Sequence, residues 1–158
     1  MENQKLSKNL SLSEVTKSNT AIKREIDNSP TPEHLENLKS LAENVFQPLR
    51  DELGAISVSS GYRSEALNTA IGGSKTSQHC EGEALDLDND HKDGRATNKE
   101  IFDYIRENLV FDQMISEFGT KENPSWIHVS FKNSGMNRGE LLRAEKKNGR
   151  TIYSLYKD

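Results

Sequence analysis

A long amphipathic segment from Thr31 to Leu53 constrains the fold of this chain more than any other sequence feature. Thr31 is a good helix cap, Pro32 suits the first helical position, and Gly54 follows the last turn. Apolar residues recur at helical spacing on one side of the segment, which must therefore pack against a core. They are Leu35, Leu38, Leu41, Ala42, Val45, Phe46, Leu49 and Leu53. Pro48 predicts that the helix kinks or splits within this span.

Residues outside this segment predict shorter helices and a set of strands. The strand patterns are residues 55–60, 84–88, 111–118, 126–131 and 150–156. The further helices are predicted at residues 13–17, 19–26, 64–71 and 97–108. Helices that come early and strands that come late indicate an α+β fold, in which helices pack on a small, mostly antiparallel sheet.

The length of 158 residues fits a single domain with one core. We expect residues 1–12 to be flexible, the core to lie at about residues 13–132, and residues 133–158 to form a C-terminal extension. Basic residues between positions 138 and 150 are interspersed with glutamates, and we interpret this stretch as solvated surface.

Charge and hydropathy exclude several classes of partner. The net charge of −4 argues against nucleic acid, which would need a clustered basic face. No apolar run has the character of a signal peptide or the length of a transmembrane helix. We therefore expect a monomer that is synthesised in the cytoplasm without a signal peptide and does not insert into a membrane.

Three side chains form a candidate metal site: His79, Asp86 and His128. Two neutral imidazoles and one carboxylate are a ligand set that catalytic zinc sites use while leaving a fourth position for water. His128 lies in an apolar run, where an unpaired imidazole would be costly to bury. Ser77 and Ser130 each lie two residues from a histidine and are candidates to orient the ligands by hydrogen bonds.

The spacing between His79 and Asp86 requires a bend in the chain. Residues 84–88 alternate like a strand, which turns Asp86 to the face opposite the leucines on either side of it. One straight strand would point His79 and Asp86 apart, because they are an odd number of residues apart. Gly82 supplies the bend that brings both to one ion.

Two glutamates and an arginine are candidates for the chemistry around this metal. Glu117 ends a predicted strand, and a hairpin register in which it faces His128 would place it beside the metal as a general base. Glu122 in the following loop is the alternative base, and a solvated surface carboxylate is the competing interpretation of each. Arg63 offers a guanidinium that either clamps a substrate carboxylate or makes a surface ion pair.

Other residues with metal-ligand chemistry are interpreted as bystanders. Cys80, the single cysteine, excludes an intrachain disulfide, and a residue next to His79 rarely reaches the same ion. The acidic loop at residues 88–94 resembles a calcium loop but lacks the glutamate at its twelfth position. His34 and His91 are expected to face solvent.

The segments SGYRSEALNTAIGGSKTSQHCEGEALDLD and EFGTKENPSWIHVSF resemble the zinc D-Ala-D-Ala carboxypeptidase family, which includes phage endolysin peptidases. The likeness extends over roughly residues 10–132. It implies a compact α+β fold of the D-Ala-D-Ala metallopeptidase and Hedgehog-like type. It also implies that zinc binds the histidine, aspartate, histidine triad named above, that Arg63 binds substrate, and that Ser77 is the family's serine before the first histidine.

One position departs from the family pattern. Many relatives place the catalytic acid three residues before the last histidine, where this chain has Ser125. The assignment of Glu117 as base therefore comes from the expected strand pairing alone.

The resemblance implies a zinc-dependent peptidase that hydrolyses peptide bonds in the stem peptides of bacterial peptidoglycan, as a carboxypeptidase or an endopeptidase. A phage-type lysin that reaches the cell wall after release, or a virion component, fits a chain with no signal peptide. The alternative is a catalytically inactive, zinc-stabilised module that binds the cell wall or forms part of a virion. Ser125 is the residue that favours this alternative.

Overall fold

The computed structural model describes residues 3–90 and 92–158 and arranges them as helices around a two-stranded and a six-stranded sheet. The strands are β1 Lys5–Ser7, β2 Leu10–Ser11, β3 Val58–Ser60, β4 Ala84–Leu87, β5 Gln113–Glu117, β6 Trp126–Ser130, β7 Glu140–Lys147 and β8 Arg150–Leu155. The α-helices are α1 Leu12–Thr16, α2 Asn19–Lys23, α3 Pro32–Leu41, α4 Gln47–Leu53, α5 Glu65–Ala70 and α6 Asn98–Asn108. A π-helical segment, Ala42–Phe46, joins α3 to α4, and a 3-10 turn, Gln78–Glu81, precedes β4.

The amphipathic segment forms one continuous helical run, and Pro48 does not split it. The hydroxyl of Thr31 accepts a hydrogen bond from the His34 N–H, which is the predicted cap. Pro48 has no N–H to donate to the preceding turn. The π-helical segment just before it widens the helix, so that the N–H of Gln47 reaches the carbonyl of Ala42. The helix therefore keeps its apolar side against the core on both sides of the proline.

The described part of the N-terminus is tied to the core, although the sequence predicts flexibility for residues 1–12. Strands β1 and β2 pair, and Leu6 and Leu10 are buried in the hydrophobic core. The side-chain oxygen of Gln47 accepts hydrogen bonds from the Ser7 hydroxyl and the Asn9 N–H. Burial of two leucines is the physical reason that the core begins before residue 13.

The six-stranded sheet has the order β3-β4-β6-β5-β7-β8. All its neighbouring strands are antiparallel except β5 and β7, which are parallel. The α+β class and the mostly antiparallel sheet are thus confirmed. The parallel pair arises because the chain leaves β6, passes the N-terminal end of β5, and enters β7 on the other side of β5.

Strand β7 corrects the interpretation of residues 138–150 as solvated surface. Ala144 is fully buried, and the guanidinium of Arg143 is buried among the carbonyls of Ser116, Phe118 and Gly119, to which it donates hydrogen bonds. These acceptors satisfy a charge that would otherwise be costly to bury. A basic sequence can therefore form an inner strand of the sheet here.

The middle strands of the sheet have two different faces. The helix-packed face consists of apolar residues in the core under the helices: Leu85, Leu87, Met114, Ile127 and Val129. The open face carries the residues that alternate with them, which include Asp86, Ile115, Glu117 and His128. In the part of the chain described, no helix combines the length and the apolar composition that crossing a bilayer requires.

Candidate metal centre

Strand pairing brings Asp86 and His128 side by side on the open face. Asp86 on β4 lies directly opposite His128 on β6, on the face away from Leu85 and Leu87 that the alternation in β4 predicts. His79 reaches them from the 3-10 turn, which ends at Gly82 in a left-handed conformation with φ of 74°. A Cβ atom at this glycine would lie 2.5 Å from the carbonyl oxygen of His34. The predicted bend therefore needs glycine both for its backbone angle and for its packing.

The three side chains are spaced as ligands of one ion would be. Oδ1 of Asp86 lies 3.3 Å from Nε2 of His79 and 3.2 Å from Nδ1 of His128. The three potential ligand atoms all lie within 4.8 Å of one another. Nitrogen and oxygen ligands about 2.0 Å from a tetrahedral zinc ion lie about 3.3 Å apart. The residues present therefore fit a zinc ion in both chemistry and spacing.

Hydrogen bonds orient His79 for such a role. Its Nδ1 lies 2.7 Å from the carbonyl oxygen of Gly61, which can only accept, so Nδ1 carries the proton and Nε2 is free to bind a metal. The Ser77 hydroxyl accepts the backbone N–H of His79 at 3.2 Å and so caps the turn that carries the ring. Ser130 has no such role, because its hydroxyl bonds the backbone of Gln113.

Asp86 is ionised in this arrangement. Burial alone would raise the pKa of its carboxyl, but the charges and hydrogen bonds that His79 and His128 supply when their rings are protonated outweigh burial and hold the pKa well below its usual range. Nη2 of Arg63 lies 3.9 Å from Oδ2 of the same carboxylate. The site therefore offers a negatively charged oxygen to a cation.

Glu117 lies on the same face as the three candidate ligands, but its register differs from the predicted one. The sequence predicts that Glu117 faces His128, whereas the structure pairs Glu117 with Trp126 and Ile115 with His128. The chain reverses through left-handed residues at 118 and 119, and the N–H of residue 125 bonds the carbonyl of Glu117, which sets this pairing. A shift of two residues preserves the face of the strand, so the carboxylate still points to the cleft.

The environment of Glu117 suits a group that exchanges a proton. Its carboxylate accepts a hydrogen bond of 2.7 Å from the indole N–H of Trp126. Burial raises the pKa of this carboxyl, and the negative charge of Asp86 raises it further, while His128 partly opposes both. A raised pKa brings a carboxyl closer to the neutral range in which a general base and acid works.

Arg63 lies at the rim of the cluster and is only partly exposed. Its backbone N–H bonds the carbonyl of His79, and its Nη1 donates to Oδ1 of Asn68 at 3.3 Å. The guanidinium is therefore held beside the three ligands, not paired with a surface carboxylate. This position allows it to contact whatever enters the cluster.

The family model for peptidase M15 matches residues 8–130, which include every element of the site described so far. The chain belongs to the peptidase M15 family. A comparison with curated proteins found no match. The family match confirms the resemblance stated from the sequence and supports a peptidase with a metal site at His79, Asp86 and His128.

A cleft of about 970 Å³ covers the open face of this M15 peptidase. Its lining includes six of the residues singled out from the sequence: Arg63, Ser77, His79, Asp86, Glu117 and His128. The lining residues that sequence reasoning missed include Trp126, Leu142 and Tyr153. Leu142 and Tyr153 lie beyond the family match, in strands β7 and β8. No sequence pattern indicates the hydrogen bond from the Trp126 indole to Glu117.

Several candidates lie away from the cleft of the M15 peptidase. Glu122 and Ser125 are exposed in the loop between β5 and β6, and neither side chain contributes to the lining. Cys80 is a free, half-buried thiol beside His79, and burial raises its pKa. His34 is only partly exposed, and its ring contacts the hydroxyl of Tyr62. His91 lies outside the described residues.

In the acidic loop after β4, one carboxylate oxygen of Asp88 is hydrogen-bonded within the protein. Oδ1 of Asp88 accepts hydrogen bonds from the N–H of Asp90 and from the side-chain amide of Asn98. The same amide also donates to the carbonyls of residues 124 and 125, which connects this loop to the β5–β6 connection.

Proposed function

We propose that this M15 peptidase binds zinc through His79, Asp86 and His128 and hydrolyses peptide bonds in the stem peptides of bacterial peptidoglycan. The observation that supports the proposal is the convergence of two imidazoles and one carboxylate at ligand spacing in an open cleft. Zinc, when bound, supplies a Lewis acid for the scissile carbonyl and lowers the pKa of water.

The chain's own residues would supply the proton transfers and the binding. The Glu117 carboxylate takes a proton from the attacking water and returns it to the leaving amine, for which its raised pKa is suitable. The indole N–H of Trp126 holds that carboxylate in place. The guanidinium of Arg63 binds a carboxylate of the peptide substrate and fixes its register in the cleft.

The experiment that tests this function uses purified, zinc-loaded protein and isolated peptidoglycan. New free amino groups should appear with time, and mass spectrometry of the released fragments would identify the bond that is cut. Glu117→Gln should lower the rate about 100-fold or more while the zinc content stays unchanged. Glu122→Gln is the matched control, because Glu122 is an exposed glutamate of the neighbouring loop, and it should keep the full rate.

The second candidate function is a zinc-stabilised module without turnover that binds the cell wall or forms part of a virion. Ser125 favours it, since many relatives have the catalytic acid at this position. Binding to peptidoglycan without any new amino groups, with zinc present, would support this module over the peptidase. If Glu117→Gln kept full activity, the peptidase function would stand, but the assignment of Glu117 as the general base would be wrong.

Peptidoglycan lies outside the cytoplasmic membrane, so the proposed substrate requires the protein to reach the wall. We propose that it acts as a monomer on the wall after a phage-type release, or as a virion component. Detection of the chain in purified virions, or only in the lysate that follows lysis, would separate these two routes.

A further inference from the structure

The hairpin formed by β7 and β8 extends the open face beyond the candidate metal centre. Cross-strand pairs run from His128 on β6 to Ile115 on β5, then to Leu142 on β7 and Leu155 on β8. Every strand in this row presents its residue on the same side of the sheet. The family match ends at residue 130, so this hairpin lies outside the matched part.

A second row of pairs brings a tyrosine towards the candidate base. Glu117 on β5 lies opposite Ala144 on β7, which in turn lies opposite Tyr153 on β8. Ala144 is fully buried, and Tyr153 lines the same cleft as Glu117. The pKa of the Tyr153 phenol is raised by burial and then by the charges of Glu117 and Asp86. Tyr153 therefore shares the cleft with both carboxylates.

The two ends of the cleft differ in chemistry. The end next to β3 is polar and contains Arg63, Thr76 and Ser77, whereas the end at the hairpin contains Ile115, Leu142 and Tyr153. Tyr153 is 55% exposed, so much of its ring is free to contact a ligand. A peptide whose carboxylate is held at Arg63 would extend its other residues towards this apolar end.

We propose that Tyr153, with Leu142 and Ile115, forms a subsite that binds apolar groups of a peptide on the side of the metal centre away from Arg63. The inference rests on the proposed peptidase function and adds a determinant of substrate length to it. Three strand spacings separate β6 from β8, which is about 14 Å, or about four residues of extended peptide. The subsite therefore selects stem peptides that span this distance over short fragments.

The test compares a stem pentapeptide with the shortest fragment of it that the zinc-loaded protein cleaves. The wild-type chain should have the higher kcat/KM for the pentapeptide, mainly through a lower KM. Tyr153→Ala should reduce this preference roughly tenfold. Ile152→Ala is the matched control: Ile152 is an exposed apolar residue of the same strand on the opposite face, and its removal should leave the preference unchanged.

A further variant separates the ring from the hydroxyl. Tyr153→Phe should keep the preference, because the ring makes the apolar contact. An equal loss in Tyr153→Phe and Tyr153→Ala would assign the preference to the hydroxyl and overturn the apolar subsite. An unchanged preference in Tyr153→Ala, or no preference in the wild-type chain, would overturn it as well.

Binding gives a readout that does not need turnover. Trp126 is the only tryptophan of the chain and lies in the cleft, so its fluorescence reports ligands there. A pentapeptide analogue with methylene-amine groups in place of its amides should bind the wild-type chain roughly tenfold more tightly than Tyr153→Ala. If no peptide is cleaved but this difference is found, the peptidase function fails and the subsite stands. If peptides are cleaved and the difference is absent, the subsite fails alone.

Discussion

The two faces of the central sheet use adjacent residues for opposite purposes. On β4, the Leu85 and Leu87 side chains are fully buried under the helices, while Asp86 between them faces the cleft. On β6, His128 occupies the corresponding place between Ile127 and Val129. A strand with period two therefore supplies stability from one face and chemistry from the other.

The difference shows why the register of this sheet must be tightly specified. A slip of one residue would move Asp86 into the hydrophobic core and a leucine into the cleft. The energy of burying the leucines thus also holds the two candidate ligands, Asp86 and His128, in place. Substitutions on the two faces should accordingly separate the loss of metal and activity from the loss of stability.

The largest effect is expected from Asp86→Ala on the open face. The variant should lose bound zinc, and its peptidase rate should fall more than about 100-fold, because losing a ligand costs more than losing a partner of a ligand. The fold should survive, since none of the core leucines is touched. Zinc content by atomic emission and circular dichroism would check both parts. Retained zinc in a folded Asp86→Ala protein would contradict the ligand assignment.

The neighbouring substitution Leu87→Ala should have the opposite profile. Leu87 is fully buried in the core opposite Ile127, so its truncation should reduce the free energy of unfolding by about 2–5 kcal/mol. Zinc content per folded molecule should not change. Urea unfolding followed by far-ultraviolet circular dichroism would measure the loss. If Leu87→Ala lost less free energy of unfolding than Asp86→Ala, the helix-packed face would not be the main source of stability.

Much of the helix-packed face could be predicted from the sequence. The apolar spacing of residues 31–53 and the alternation in 84–88 are direct consequences of burying one side of an element. The same alternation placed Asp86 opposite the leucines. The ligand set needed only the chemistry of three residue types and one glycine bend.

The sequence could not predict how distant strands meet at the cleft. Strand β7 has a buried Arg143 whose charge is satisfied by three backbone carbonyls, and no pattern in the residues around it indicates those partners. The pairing of Glu117 with Trp126 is set by an eight-residue loop, and loops of this length do not fix a register from composition. Tyr153 reaches the cleft only because β7 and β8 extend the sheet.

A moderate effect is expected at the end of the cleft from Asp112→Asn. The buried Asp112 carboxylate accepts two side-chain hydrogen bonds from Arg138 and one from Gln78, whose turn carries His79. The substitution replaces acceptors by an amide and should cost about 1–3 kcal/mol at neutral pH. Urea unfolding at pH 7 would measure this loss.

Acid titration of the same variant gives an independent check. Burial alone would raise the pKa of Asp112, but the Arg138 hydrogen bonds outweigh it and lower the pKa to about 2. A lowered pKa stabilises the fold above the unfolded value of 3.8, and this contribution is lost as the pH falls towards 2. The difference between wild type and Asp112→Asn should therefore shrink between pH 4 and pH 2. A constant difference across this range would contradict the ionised pair.

The smallest effect is expected from Glu117→Gln on the stability of the metal-free protein, and its sign is the informative part. Because burial and the charge of Asp86 raise the pKa of Glu117, ionising this carboxyl destabilises the fold as the pH rises above 4.5, its ordinary value. Glutamine keeps an acceptor for the Trp126 indole without the charge, so the variant should be slightly more stable than wild type at pH 7 and equal to it at pH 4. Glu122→Gln, on the exposed loop, should show no such pH dependence. Glu117 would then lower the free energy of unfolding where it is ionised and still be needed for turnover. That combination separates it from the helix-packed face, whose residues raise the free energy of unfolding. Equal stability of Glu117→Gln and wild type at both pH values would contradict the raised pKa of Glu117 and the destabilising effect of its ionisation.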